Sequence, residues 1–390
     1  MPTALQDFDA YPKLDSAVAP RAVYVHVPFC LHRCGYCDFT LVAQHDDLIP
    51  AWLASLQSEL SRIDRRYEVD TVFVGGGTPT HLSVPQLRRL FDLIETKFQR
   101  THAAEVSIEA NPDGLDTDRL NTLRDLGVNR LSLGVQSFDD NVLATLERQH
   151  TSSEAIDIVD RASERFENVS LDLIFGVPGQ TPKSWQDTLN TAVSLPLNHV
   201  STYGLTFEKG TEFFRRLTHG SLVATPDTTE RDMYETAMNT LNAAGLQQYE
   251  ISNFARPGYE CRHNHVYWDA AEYFAFGPGA ARYVSGTRST NARSVVRWIN
   301  SWANHIPVFQ ESEHLSPEEK AREAIFLGLR RIQGIDLAAF QTRFGIDARS
   351  IEPQHLQNHM TTGLLEIVDG ALRLTNEGRF LADTVVGDFV

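Results

Sequence analysis

Cysteine is scarce in this chain: four in 390 residues, three of which, Cys30, Cys34 and Cys37, fall within eight positions. A disulfide framework spreads its cysteines to staple distant segments, so this clustering excludes such a scaffold and points to a metal. No stretch approaches the roughly 18 apolar residues that a membrane span requires. Basic residues are in deficit, with 35 Lys and Arg against 51 Asp and Glu, a formal net charge of −16. An acidic surface repels phosphates, so a broad nucleic-acid interface is not expected. The opening MPTALQDFDAYPKLDSAVAP lacks both the apolar core of a secretory signal and the arginines of a transit peptide. The expected location is cytoplasmic, with no membrane span and at most transient contact with a membrane protein. Internal repeats and low-complexity tracts are also lacking.

Hydrophobic residues make up 42% and charged residues 22%, an ordinary globular balance. A chain of this length suits one large domain plus a smaller one. From Ala22 to about Tyr203, short apolar runs alternate with amphipathic stretches. The strand candidates are 22–27, 71–74, 105–109, 130–134, 169–174 and 199–203. Between the first two, Ile49, Trp52, Leu53, Leu56, Leu60 and Ile63 recur at helical spacing. Leu87, Leu90, Phe91, Ile94 and Phe98 do the same before the third, with Ser83 and Pro85 as start signals. Six strands alternating with helices predict parallel pairing with right-handed crossovers, in a doubly wound sheet or an open or closed barrel. In either, the functional loops follow the C-terminal strand ends.

Beyond Gly210 the alternation stops. A helix is expected over about 228–243, then a polar, aromatic stretch from Tyr249 to Arg293. The tail from Pro317 reads as three helices and a hairpin, GLLEIVDGALRLT, turned at Asp369-Gly370. Helices followed by a hairpin resemble a winged-helix module.

The cysteines follow the first strand as Cys30-Leu-His-Arg-Cys34-Gly-Tyr-Cys37. Thiolates are the usual ligands of iron–sulfur clusters, and three of them on four irons leave one iron open to a small molecule. A zinc site would need His26, His32 or a remote residue as fourth ligand. Further along come GGGTPT at Gly75–Thr80, EANPD at Glu109–Asp113 and GVQSF at Gly134–Phe138. They are followed by DLIFGVPGQT at Asp172–Thr181 and HNxxYW at His263–Trp268. With the CxxxCxxC motif, in this order and over most of the chain, they resemble the radical S-adenosylmethionine superfamily. Within it, the likeness is to the oxygen-independent coproporphyrinogen III oxidase branch, and especially its heme chaperone HemW family.

That resemblance implies an α/β fold, a partial (β/α)6 barrel with a small helical, winged-helix-like C-terminal domain. It divides the chain into an N-terminal tail (1–15), a radical domain (16–250), a connecting region with HNxxYW (251–310) and a HemN-type C-terminal domain (311–390). It also implies a 4Fe-4S cluster on Cys30, Cys34 and Cys37, and S-adenosylmethionine held by Tyr24, Tyr36, Gly76, Gly77, Thr78, Glu109, Gln136, Arg148 and Asp172. Glycines at a strand end allow close ligand approach, although tight turns use them too. No Lys follows them, so a nucleotide P-loop is not expected. A strand-end carboxylate such as Glu109 suits a ribose hydroxyl, and an Arg can clamp a carboxylate. For Arg148 a surface ion pair competes; for Tyr24 and Tyr36, packing beneath the loop.

Two departures from the oxidase pattern stand out. Phe39 occupies the position of the oxidase's fourth cysteine, and only 29 residues precede Cys30. Both agree with the chaperone branch, which binds heme for transfer to an acceptor protein and takes electrons from a donor such as a flavodoxin or ferredoxin. The resemblance assigns heme to His263; Cys261 and His265 are local rivals. On chemistry alone, a hydrogen-bonded histidine beside an aromatic core is the stronger reading. The oxidase, an enzyme that decarboxylates a porphyrinogen through a 5′-deoxyadenosyl radical, is the alternative. Cosubstrate turnover is not decided by the residues. A radical RNA-modifying enzyme is a third reading, but Arg330, Arg331, Arg343, Arg349, Arg373 and Arg379 make a poor phosphate track among so many acids.

Overall fold

The computed structural model describes residues 19–306 and 308–390, so the expected N-terminal tail lies outside the described residues. One sheet organises the chain. Its strands are β1 (Ala22–Val27), β2 (Tyr67–Gly76), β3 (Phe98–Ala110), β4 (Arg130–Gln136), β5 (Asn168–Phe175), β6 (His199–Gly204), β7 (Gln247–Gln248), β8 (Asn253–Ala255) and β9 (Phe274–Phe276). In space they run β9-β1-β2-β3-β4-β5-β6-β8-β7. Neighbours from β9 to β6 are parallel, while β8 and β7 close the far edge antiparallel. The edge strands β9 and β7 do not pair, so this is an open, partial barrel.

Strand alternation explains the two faces. Val23, Val25, Val72, Val74, Ile108, Leu131, Leu171 and Val200 are buried on one face. That face meets the crossover helices α1 (Ile49–Leu60), α2 (Val84–Lys97), α3 (Thr117–Asp125), α5 (Ser152–Ser163) and α6 (Pro182–Ser194), while the short α4 (Asp140–Thr145) packs through Val142 in a separate apolar cluster with Ile174 and Phe213. Trp52, Leu56, Leu90, Leu120, Ile158 and Trp185 supply the packing partners of that face. The other face is polar: cross-strand register aligns Thr71 with Glu105, Glu109 with Ser132, Ser132 with Ser170, and Ser170 with His199. A soluble sheet keeps polar groups on a covered face only where they are hydrogen-bonded or meet a ligand.

After β6 come α7 (Glu212–Thr218), α8 (Asp227–Ala243) and α9 (Arg262–Trp268). Helix α9 seals the barrel interior near the strand starts. Its first amides, those of Arg262 and His263, donate to the Glu105 carboxylate at 2.9 and 3.1 Å, where an acid complements the helix dipole. Helix α10 (Val295–Ala303) lies against α1, where Ser55 donates to the carbonyl of Ile299.

The C-terminal module has its own core of Ile325, Leu329, Phe340, Leu372, Val385 and Phe389. Its hairpin pairs Leu365–Val368 with Ala371–Leu374. Asp369 and Gly370 both take positive φ, as a two-residue type I′ turn requires. The module docks through backbone bonds from Ile251 to Arg330 and from Ile332 to Tyr249. Among the described residues, no helix is long and apolar enough to cross a membrane.

One buried acid ties α1 to the segment after β9. Both oxygens of Glu59 accept bonds, from the Gly277 amide at 2.9 Å and the Asn291 side chain at 2.7 Å. Burial outweighs those bonds and pushes the Glu59 pKa up to about 7. Between the unfolded value of 4.5 and that figure, the folded chain holds a proton the unfolded chain has lost. Stability from this group therefore falls as pH rises through that window. Urea titrations should show the decline, and Glu59→Gln should remove up to about 1 kcal/mol per pH unit of its slope. An unaltered slope in the variant would contradict the assignment.

Candidate functional site

A cavity of about 1060 Å³ opens at the C-terminal strand ends, lined by Cys30, Cys34 and Cys37 at one end and by residues of the C-terminal module at the other. All three cysteines are free thiols. Phe29–Cys30 pairs with Val42–Ala43 and so pins both ends of the intervening loop. Inside it, the Arg33 guanidinium donates to the carbonyls of Phe39 and Leu41. The Cys37 amide donates to the carbonyl of Cys34, a turn that brings two of the sulfurs to the same wall. Burial pushes the Cys30 thiol up to about 11, although the Thr78 hydroxyl lies 3.2 Å from its sulfur. Such a thiol is a poor free nucleophile and ionises when a metal takes the proton's place.

Strand β2 ends in glycines because nothing larger fits. A Cβ on Gly77 would lie 2.7 Å from the Phe29 carbonyl and 3.0 Å from the Cys30 sulfur. Gly76 has φ +116°, and a Cβ there would strike the His26 ring at 2.6 Å. Its amide donates to Glu109 at 2.8 Å. Burial, with a lesser push from Asp172, raises the Glu109 pKa to about 8 against that bond. Asp172 is raised as well, chiefly by burial, and accepts from Ser132 at 3.3 Å. Two interior carboxyls pushed toward neutrality favour a ligand that brings hydroxyls or positive charge.

Arg148 is no surface ion pair. It follows α4 and turns inward, donating to the Asn111 side chain and the Gly134 carbonyl at 2.7 Å each and approaching the Cys34 sulfur at 3.7 Å. Its Nε is buried without a partner. Gln136 lies at a bulge between β4 and β5 and has φ +71°, a left-handed conformation that costs a non-glycine residue of order 1 kcal/mol. A Cβ on Gly134 would meet the Asn111 and Gln136 side chains at 3.0 Å each. Tyr36 packs edge-on against Phe213 and lines the same cavity.

Tyr24 and His263 are placed differently. Tyr24 stacks on Phe73, its hydroxyl 3.0 Å from His26 Nδ1, and lines a separate cavity of about 350 Å³ that shares Gly76 and Glu109 with the larger one. His263 is not brought to either cavity. It is 1% exposed, with Nδ1 2.8 Å from the Thr71 hydroxyl and Nε2 2.9 Å from the Tyr267 hydroxyl. Its ring packs on Phe73. Burial pushes its pKa down to about 3, so the ring is neutral and both nitrogens are engaged. The structure thus places a hydrogen-bonded histidine beside aromatic rings where the resemblance implies a heme ligand. Cys261 is fully buried and His265 packs on Tyr249.

Residues 24–192 match the family model described as the Radical SAM superfamily, and residues 315–381 match the HemN C-terminal domain. A protein from Bacillus subtilis named heme chaperone HemW is 38% identical over 95% of this chain and 99% of its own. The chain belongs to the HemW family. A HemW of Mycobacterium tuberculosis is 39% identical over 94% of both chains. The solved coproporphyrinogen III oxidase HemN of Escherichia coli, described as a radical SAM enzyme, covers 95% of this chain and 90% of its own at a TM-score of 0.84. At 22% identity that likeness shows a shared fold.

Membership of the HemW family and its radical SAM domain implies a 4Fe-4S cluster and S-adenosylmethionine. The residues present fit both. Three free thiols share one wall, and the Arg148 charge with its unpartnered Nε stands beside Cys34. Sequence reasoning missed Asn111, which donates to the Thr78 hydroxyl at 2.9 Å and accepts from Arg148, joining two segments of this HemW-family site. It sat in plain view inside EANPD. It also missed Glu147, which accepts from the Gly35 amide and pairs with Arg216 at 2.7 Å, bracing the cysteine loop.

Proposed function

We propose that this chain is a heme chaperone that carries heme in the half of the large cavity away from the three thiols and passes it to an acceptor protein. A 4Fe-4S cluster on Cys30, Cys34 and Cys37 and S-adenosylmethionine beside it would occupy the other half. The observation that carries the reading is the continuity of that cavity, from the three thiols to Phe175, Leu205, Tyr234, Phe380 and Leu381. Apolar and aromatic walls suit a porphyrin plane. The name of the HemW relatives supports heme as the cargo.

When bound, the cluster on Cys30, Cys34 and Cys37 would be able to supply an electron for reductive cleavage of the sulfonium of S-adenosylmethionine. The chain's own residues bind and orient. Gly76, Gly77 and Thr78 let the backbone approach the amino-acid part, and Arg148, which lines the cavity beside Cys34, brings positive charge for a carboxylate. Glu109 and Asp172, raised toward neutrality by burial, accept hydroxyl or ammonium hydrogens. Gln136 and Tyr36 close the wall around them. An exposed Phe39 stands at the cavity edge in place of the oxidase's fourth cysteine. Electrons would come from a flavodoxin or ferredoxin.

Anaerobic reconstitution followed by hemin titration tests the assignment. A stoichiometric Soret complex is expected, with no turnover of coproporphyrinogen III in the presence of a reductant. Absence of a heme complex would remove the heme role, and clear formation of protoporphyrinogen would replace the chaperone reading with the oxidase one.

A further inference from the structure

The far wall of the cavity carries charge that the cluster half does not use. Arg330 and Arg379, both from the C-terminal module, line it beside Phe380 and Leu381. Arg330 is engaged, its Nη1 3.0 Å from an Asp383 carboxylate that is 91% exposed. Arg379 is not. Its hydrogen-bond partner is the neutral side-chain carbonyl of Gln248 at 3.2 Å, and its Nε, like that of Arg330, is buried with no partner. Among the described residues, no carboxylate lies within ion-pair distance of it.

The surroundings hold Arg379 in place. Gln248 Nε2 donates to the Tyr234 hydroxyl at 2.8 Å and to the Ile251 carbonyl at 3.0 Å, which leaves its oxygen for Arg379. Tyr234 in turn donates to the Ile251 carbonyl at 2.6 Å and packs edge-on against Phe380. The Arg231 guanidinium covers the Phe380 ring at 3.8 Å and is itself paired with Glu377. A half-buried guanidinium with open donors on an apolar wall is unfavourable until an anion completes it. Glu208, Asp227, Glu230 and Asp383 line the same cavity and repel anions, so the guanidinium groups are where an entering carboxylate is held.

We propose that Arg379 is the carboxylate anchor of this cavity, with Arg330 as a second anchor that exchanges its exposed Asp383 partner for the ligand. The ligand class is a flat, largely apolar molecule with carboxylate arms, its arms toward the C-terminal module and its body toward Phe175 and Leu205. This rests on the heme reading above and deepens it by fixing which end of the macrocycle goes where.

The test compares free-acid and esterified probes on the folded, full-length chain. Hemin, hemin dimethyl ester, metal-free coproporphyrin and its tetramethyl ester are titrated into wild type, Arg379→Gln and Arg379→Lys, with thermal midpoints measured to confirm folding. Wild type should prefer each free acid over its ester by roughly tenfold or more. Arg379→Gln should lose that preference while keeping its affinity for the esters, and Arg379→Lys should keep part of it. Equal binding of hemin and its ester by wild type would overturn the anchor and leave the heme reading standing. So would a full preference in Arg379→Gln. Arg379-dependent binding of coproporphyrin without any hemin complex would uphold the anchor and remove the heme reading. Binding of no probe would remove both.

Discussion

Replacing Cys30, Cys34 and Cys37 together with alanine is expected to reduce iron and acid-labile sulfide from a full complement to background after anaerobic reconstitution. Absorption from thiolate-to-iron charge transfer should vanish with them. The fold should survive, because the barrel core of Val23, Val72, Leu131 and Leu171 and its covering helices does not include these sulfurs. Cys34 and Cys37 lie half-buried on a loop rather than in that core. Gly77→Ala should have a weaker effect of the same kind, since the new Cβ would press on the Phe29 carbonyl and the Cys30 sulfur. Retention of iron and sulfide at wild-type levels by the triple variant would contradict the ligand assignment. Zinc alone in the wild type would remove the cluster itself.

The six strands from β1 to β6 were legible because each obeys a local rule, whereas the choice of a barrel over a doubly wound sheet rests on the resemblance alone. Runs such as Val169–Ile174 put apolar residues under the helices at every second position, and β5 extends them by one residue at each end. Strand β9 was not legible. It is three residues, Phe274–Phe276, and it exists because β1 presents a free edge far away in sequence. A pairing of that kind leaves no local pattern to read. The polar interior face was also hidden, since Glu105, Arg130 and His199 each look like an isolated exception until cross-strand register brings their strands together.

The site divides in the same way. Gly76, Gly77, Glu109 and Gln136 stand at or just after strand ends, where a sequence with correctly read strands already directs attention. Arg148 illustrates the limit. Its position after α4 suggests solvent, but the turn through Glu147, at φ +58°, swings the chain so that the guanidinium enters the cavity. Arg330 and Arg379 were counted only as members of a weak phosphate track. Their role depends on how the C-terminal module docks on Tyr249 and Ile251, a tertiary fact with no signature in residue spacing.

His263→Ala is expected to lower the stability of the folded chain by about 3 kcal/mol, and to leave heme stoichiometry per folded molecule unchanged. The variant deletes a buried ring that packs on Phe73 and Tyr267. It also strands two hydroxyls, those of Thr71 and Tyr267, that the ring now satisfies. Stranded buried groups carry their desolvation penalty in addition to the cavity, which is why the loss exceeds that of either partner variant. Thr71→Val and Tyr267→Phe should therefore lower stability less than His263→Ala, through the same network. Iron ligation by His263 would require one nitrogen to leave its partner and the ring to reach a cavity it does not line. Denaturant unfolding of all three variants, with hemin titration of each at a temperature where it is folded, separates the two roles. A His263→Ala chain that unfolds at the wild-type midpoint yet forms no Soret complex would make the residue a heme ligand and not a pin.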